Sequence, residues 1–159
     1  MIGERRLLQI VIALACVVPI CAGLDGVLRG AAMVSPGRVT ADLDSHFRYL
    51  SGIFLMLGLA FASTISTIER EGPRFRLLAA MVVAGGLARA LAWATTGAPG
   101  LAHQLGLAME LGVVPLLVLW QARIARLAAS TYEKSCRGSR SGNSQHGQRP
   151  ECRPGKPGR

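Results

Sequence analysis

Four stretches of this chain stay apolar for about twenty residues each: 7–28, 47–67, 77–96 and 101–122. A helix needs about 20 residues to cross a hydrocarbon core. In that core only segments that satisfy their own backbone hydrogen bonds are stable, so the runs predict four membrane helices. A soluble domain would alternate apolar with polar residues. Here 50% of the 159 residues are hydrophobic, mean hydropathy is +0.36, and the apolar residues are gathered into runs. The connections between runs are short, which predicts one compact four-span domain over 1–127. The expected fold class is all-α, an integral membrane four-helix bundle.

The last two runs constrain each other further. They flank a turn at Gly97-Ala98-Pro99-Gly100, and each carries one charge deep inside, Arg89 and Glu110. Folded about Pro99-Gly100, the two residues lie at equal depth, about 15 Å down each helix. An unpaired charge at that depth is costly, so the spacing predicts an intramembrane Arg89–Glu110 ion pair. On the third run Gly85 and Trp93 share a face with Arg89, and Gly86 and Ala92 flank it. Small residues there predict contact with another helix. Pro115 is expected to release the carbonyl of Leu111, next to Glu110.

The ends of the runs carry the remaining signals. Pro19 lies inside the first run and is expected to bend it. A basic start and small residues at Ala22-Gly23 also suit a signal peptide, but the run continues to about Leu28 and three more follow. Asp25 and Arg29 close that run four residues apart. Asp44 or Ser45 is the expected N-cap of the second helix, with Asp44 and Arg48 again four apart. Gly52 and Gly58 on that helix are expected to allow close approach by a neighbour. The first helix ends where the second begins, so Asp25, Arg29, Asp42, Asp44, His46 and Arg48 form an expected polar cluster at one mouth. It has two readings, an interfacial salt-bridge group or a site for a small polar or anionic ligand. From Ala128 onward Ser, Gly, Pro, Gln and Arg dominate, which predicts a disordered basic tail over 128–159.

The net charge is +9, and seven of the 18 lysines and arginines lie in the last 30 residues. Most others sit at the ends of apolar runs. That distribution fits the positive-inside rule rather than nucleic-acid binding. Arg5, Arg6, Arg70, Arg74, Arg76, Arg123 and Arg126 fall on one side, Arg29, Arg38 and Arg48 on the other, so both termini are expected in the cytoplasm. Cys16, Cys21, Cys136 and Cys152 show no metal or redox spacing, and two lone histidines, His46 and His103, do not make a metal site. No phosphate loop, nucleophile elbow or metalloprotease helix is present, so neither a cofactor nor an enzymatic activity is expected.

The run Asp44-Ser45-His46-Phe47-Arg48-Tyr49-Leu50-Ser51-Gly52, then Gly85-Gly86-Leu87-Ala88-Arg89, then Glu110-Leu111 ahead of Pro115 and Trp120, resembles an uncharacterised family of small bacterial four-helix membrane proteins, domain of unknown function 4345. Its topology looks like that of the DoxX group. The resemblance covers about 7–126 and excludes the tail. It implies a four-helix inner-membrane bundle and implies nothing about a substrate. The expected role is a structural or accessory membrane subunit, in contact with the lipid bilayer and with a membrane protein partner or a second copy. The alternative is a minimal transporter or proton-linked carrier using Arg89 and Glu110.

Overall fold

The computed structural model describes residues 2–33, 37 and 39–142. It is all-helical among those residues: α1 Ile2–Arg29, α2 Ala41–Thr64, α3 Gly72–Thr96, α4 Leu101–Ala108 and α5 Val114–Gly142. A short 3-10 turn, Gly30–Met33, follows α1, and a π-helical turn, Met109–Val113, joins α4 to α5. The chain therefore has four helical rods, the last made of α4, the π turn and α5. Each rod packs on its neighbours in sequence, and α5 returns to α1. All four rods are long and apolar enough to cross a membrane.

Helix ends differ from the apolar runs because polar residues extend the helices beyond the hydrocarbon. α1 starts at Ile2, taking Arg5 and Arg6 into its first turns. The cap of α2 is Thr40, not Asp44 or Ser45. Its backbone is extended, and its hydroxyl accepts from the Leu43 amide at 3.3 Å, so Asp42 and Asp44 fall in the first turn. Acids there suit the positive end of the helix dipole. α2 ends at Thr64 rather than at Thr67. α3 begins at Gly72 instead of 77, because Pro73 stands in its first turn, where a missing amide costs nothing. The helix after Pro115 runs on to Gly142, past the composition change at Ala128. No proline or glycine intervenes between Pro115 and Gly138, and Ala128, Ala129, Glu133 and Lys134 favour helix. The rest of the expected tail, 143–159, lies outside the described residues.

The closest pairing is α1 against α2, and it depends on glycine. A Cβ on Gly23 would stand 2.6 Å from the Leu55 backbone nitrogen, and one on Gly26 would collide with the Ser51 hydroxyl. Gly58 faces Pro19 and Ile20, with Pro19 Cγ 3.1 Å from where its Cβ would be. The proline ring that removes a hydrogen bond from α1 is thus seated against a helix with no side chain at that point. Gly52 is looser, its nearest neighbour being Val27 at 3.9 Å.

The buried apolar cluster is at one end, here called the near end, where the chain starts. Leu8, Ile12, Cys16, Ile68, Phe75, Leu117 and Ile124 form it, and Phe61 meets Phe75 edge-on at 5.3 Å. Leu14, Leu28, Leu59, Leu87, Leu91, Leu105, Leu116 and Leu119, among others, lie exposed along the rods. In water such a surface would aggregate; against lipid it is the expected exterior. Cys16 and Cys21 are free thiols, one in the core and one exposed.

The glycine contacts give a direct test. Gly23→Ala should lower the stability of detergent-solubilised protein by about 1–3 kcal/mol, because backbone must move to admit the methyl. Gly85→Ala, which meets nothing within 4 Å, should leave thermal unfolding unchanged or slightly raised. Equal unfolding temperatures for Gly23→Ala and the parent would refute this account of the α1–α2 contact.

Candidate functional site

α3 and the fourth rod cross where Gly86 removes a side chain. A Cβ there would lie 2.8 Å from Leu111 Cδ2 and 3.0 Å from Glu110 Cβ. Gly85, its neighbour, faces open space instead. This approach lets Arg89, one turn further on, reach across to Glu110. Arg89 Nε stands 3.3 Å from Glu110 Oε1, with the arginine side chain 40% exposed and the glutamate 13%. Arg89 is seven residues before the end of α3, about 10 Å in along the axis. Glu110 is nine residues into the fourth rod, about 13 Å from its start.

Glu110 sits inside the π turn, and Pro115 explains that turn. A proline has no amide and its ring collides with the carbonyl four residues back. Widening the preceding turn relieves the collision: the Val114 amide reaches back to the Met109 carbonyl, five residues away. The wide turn also sets the rotation of Glu110 about the helix axis. Its Oε1 faces Arg89, while Oε2 is buried with no hydrogen-bond partner among the described residues.

At the opposite, far end of the molecule the polar cluster separates into a clasp and a local pair. Arg48 Nε lies 2.8 Å from Asp44 Oδ2, and its Nη1 donates to the carbonyls of Val27 and Leu28. Those carbonyls end α1 and have no partner within it, so the guanidinium both bonds and neutralises the negative helix end. Asp44 Oδ1 accepts from the Ala31 amide at 2.9 Å. The chain reverses at Gly30, with φ +63°, and a side chain there would collide with Asp44 and Arg48. Asp25 and Arg29 pair with each other on α1 at 3.3 Å, apart from this clasp. His46 and Asp42 are exposed. Of the six residues, four form two ion pairs at the α1–α2 connection, Asp44–Arg48 and Asp25–Arg29. Asp44 and Arg48 close that connection, with Arg48 Nη1 taken by the carbonyls that end α1.

A third polar group, at the near end, was not legible as a site. Gln121 is 1% exposed and donates to the Ile68 carbonyl at 2.8 Å, beside Gly72. Gln9 donates to the Ile65 carbonyl at 2.7 Å and Arg5 to that of Ser66 at 2.9 Å. Arg5 also pairs with Glu69 at 3.2 Å, and Arg123 with Glu4 at 3.5 Å. Three side chains from two rods thus hold three carbonyls, of Ile65, Ser66 and Ile68, in the turn between α2 and α3. The available signal was a glutamine inside each terminal span, Gln9 and Gln121, each needing a partner out of water.

Among the described residues no group of three or more His, Cys, Asp or Glu side chains is placed to hold a metal ion. The architecture is that of a multi-pass membrane protein: all-helical, with four rods able to cross a bilayer. The model of the family described as Domain of unknown function (DUF4345) matches residues 7–121, and the chain belongs to that family. Comparison with curated proteins and with solved structures found no match.

The Arg89–Glu110 contact is measurable. Arg89→Leu or Glu110→Leu alone should cost about 3–5 kcal/mol by orphaning the other charge, and the double substitution should recover most of it. A double-mutant cycle on thermal stability reads the coupling. Additive losses would show that the two groups do not interact. Gln121→Leu should cost about 1–3 kcal/mol by leaving the Ile68 carbonyl unbonded.

Proposed function

We propose that this chain is a non-catalytic, four-span accessory subunit of a bacterial inner membrane. The observation that carries this reading is how its polar side chains are used. Arg5, Gln9, Asp44, Arg48 and Gln121 bond to the chain's own backbone and join one element to the next. Arg89 and Glu110 join the third rod to the fourth. Such a molecule is a rigid block of membrane helices, suited to being held beside another membrane protein. The Arg89–Glu110 pair then acts as a clamp that sets helix register.

The proposed orientation has both termini in the cytoplasm. The near end gathers Arg5, Arg6, Arg70, Arg74, Arg76, Arg123 and Arg126, and the far end has fewer basic residues. Reporter fusions active only outside the cytoplasm should give signal after Gly37 or Pro99 and none after Gly72. Signal after Gly72 would reverse the orientation.

A second reading, a minimal transporter or proton-linked carrier using Arg89 and Glu110, is favoured by the buried, unpartnered Glu110 Oε2 within a π turn. Two measurements separate the readings. Native electrophoresis of membranes in mild detergent should show the chain in an assembly with another polypeptide; a chain that runs only by itself argues against the accessory role. Proton flux into vesicles holding the purified chain, abolished by Glu110→Gln, would instead establish the carrier.

A further inference from the structure

We infer that the near end of the molecule holds anionic phospholipid headgroups through arginines that the fold leaves without partners. The inference goes beyond the accessory reading and does not depend on it. At this end Arg5 is taken by Glu69 and the Ser66 carbonyl, and Arg123 by Glu4. Arg6, Arg70, Arg74, Arg76 and Arg126 are exposed, and their side chains make no ion pair or hydrogen bond among the described residues. Glu71, the remaining acid of the α2–α3 turn, forms no ion pair either. The far end differs: Arg29 and Arg48 are each paired with an acid four residues away on the same helix.

Four of the five unpaired arginines stand in line with apolar side chains that face outward. Arg6 shares a face of α1 with the exposed Ile10 and Val17. On α3, Arg74 is in line with Leu77 and Met81, and Arg76 with Leu87 and Leu91, all four exposed. Arg126 follows the exposed Leu119 by two turns of the fourth rod, about 10 Å. Exposed apolar side chains on a membrane rod meet lipid, so each of these arginines stands where a lipid-facing stripe ends. Helical side chains lean toward the N-terminus, which is the near end for α1 and α3. Arg6, Arg74 and Arg76 therefore reach outward to headgroup level. Arg126 leans the other way, and its two turns beyond Leu119 bring it to the same level.

The chemistry of the site favours a phosphodiester with no cation of its own. A guanidinium grips phosphate oxygens through two parallel N–H donors. Phosphatidylcholine neutralises its phosphate internally, whereas phosphatidylglycerol leaves a net charge for the arginine to meet. An acidic protein surface fits less well. Arg74 and Arg76 project about 160° apart around α3, so one flat partner does not collect both. Lipid surrounds the helix and reaches each of them.

The test reconstitutes the purified full chain in phosphatidylcholine vesicles with a trace of spin-labelled phosphatidylglycerol or spin-labelled phosphatidylcholine. Electron paramagnetic resonance reads the fraction of label held at the protein surface. The phosphatidylglycerol label should be favoured by about twofold to fivefold, and less so at high salt. Arg6→Gln, Arg74→Gln, Arg76→Gln and Arg126→Gln combined should remove most of that preference. Lysine at the same four positions should retain it, which separates lost charge from lost fold. Asp25→Asn with Arg29→Gln, at the far end, should leave it unchanged. Equal association of the two labels overturns the proposal. So does a preference that survives the four glutamines, or one lost equally in the far-end variant. Loss of the preference in inorganic phosphate, but not in sodium chloride of equal ionic strength, would make the occupant a free ion. Displacement of the label by a poly-glutamate peptide would make it an acidic protein. Either result overturns the lipid assignment.

Discussion

A polar group in hydrocarbon has no water to turn to, and this constraint accounts for most of what the structure contains. Backbone amides are satisfied by making helices. Carbonyls freed at helix ends and turns are met by side chains: Arg48 for Val27 and Leu28, Gln9 for Ile65, Arg5 for Ser66, Gln121 for Ile68. Each of these bonds crosses from one element to another. The chain thus obtains its tertiary contacts from the same interactions that remove unpaired backbone groups.

Glycine and proline act together in the packing. Lipid tails offer no hydrophobic reason for helices to associate, so contact must come from close fit and hydrogen bonds. Gly23, Gly26 and Gly58 bring α1 and α2 together around Pro19, and Gly86 brings α3 to the fourth rod at Glu110. Both prolines within spans lie beside such an approach. Pro19 is seated against Gly58, and Pro115 ends a π turn whose extra width aims Glu110 at Arg89. The ion pair is therefore the joint result of a missing side chain on one helix and a missing amide on the other.

The two ends of the molecule differ in a way that bears on its role. The near end has the buried apolar cluster, the edge-on Phe61–Phe75 contact and three side chains holding the α2–α3 turn. The far half of α3 and the start of the fourth rod lie outside that cluster and are tied by Arg89–Glu110 and by Gln104, which donates to the Pro99 carbonyl at 2.8 Å. The contrast is between a well-packed base and an α3 face above it that is exposed at Gly85, Ala88 and Ala92.

Much of this was determined by the sequence itself, because the signals are local. Four apolar runs of spanning length specify four membrane helices whatever their arrangement, and two charges equidistant from a Pro-Gly turn specify which residues meet. The family match, residues 7–121, takes in both charges and the turn between them. Helix ends were less legible, since hydropathy marks where a helix enters lipid and not where its hydrogen bonds stop. Only the tertiary structure decided which glycine carries the close approach, Gly86 rather than Gly85, because a one-residue change of helical phase is set by the neighbour's position. It alone divided the expected polar cluster into the Asp44–Arg48 clasp and the separate Asp25–Arg29 pair, because the carbonyls that claim Arg48 belong to another helix. And it alone placed Gln121 in a buried bond to Ile68, a contact between residues 53 apart that no local pattern encodes.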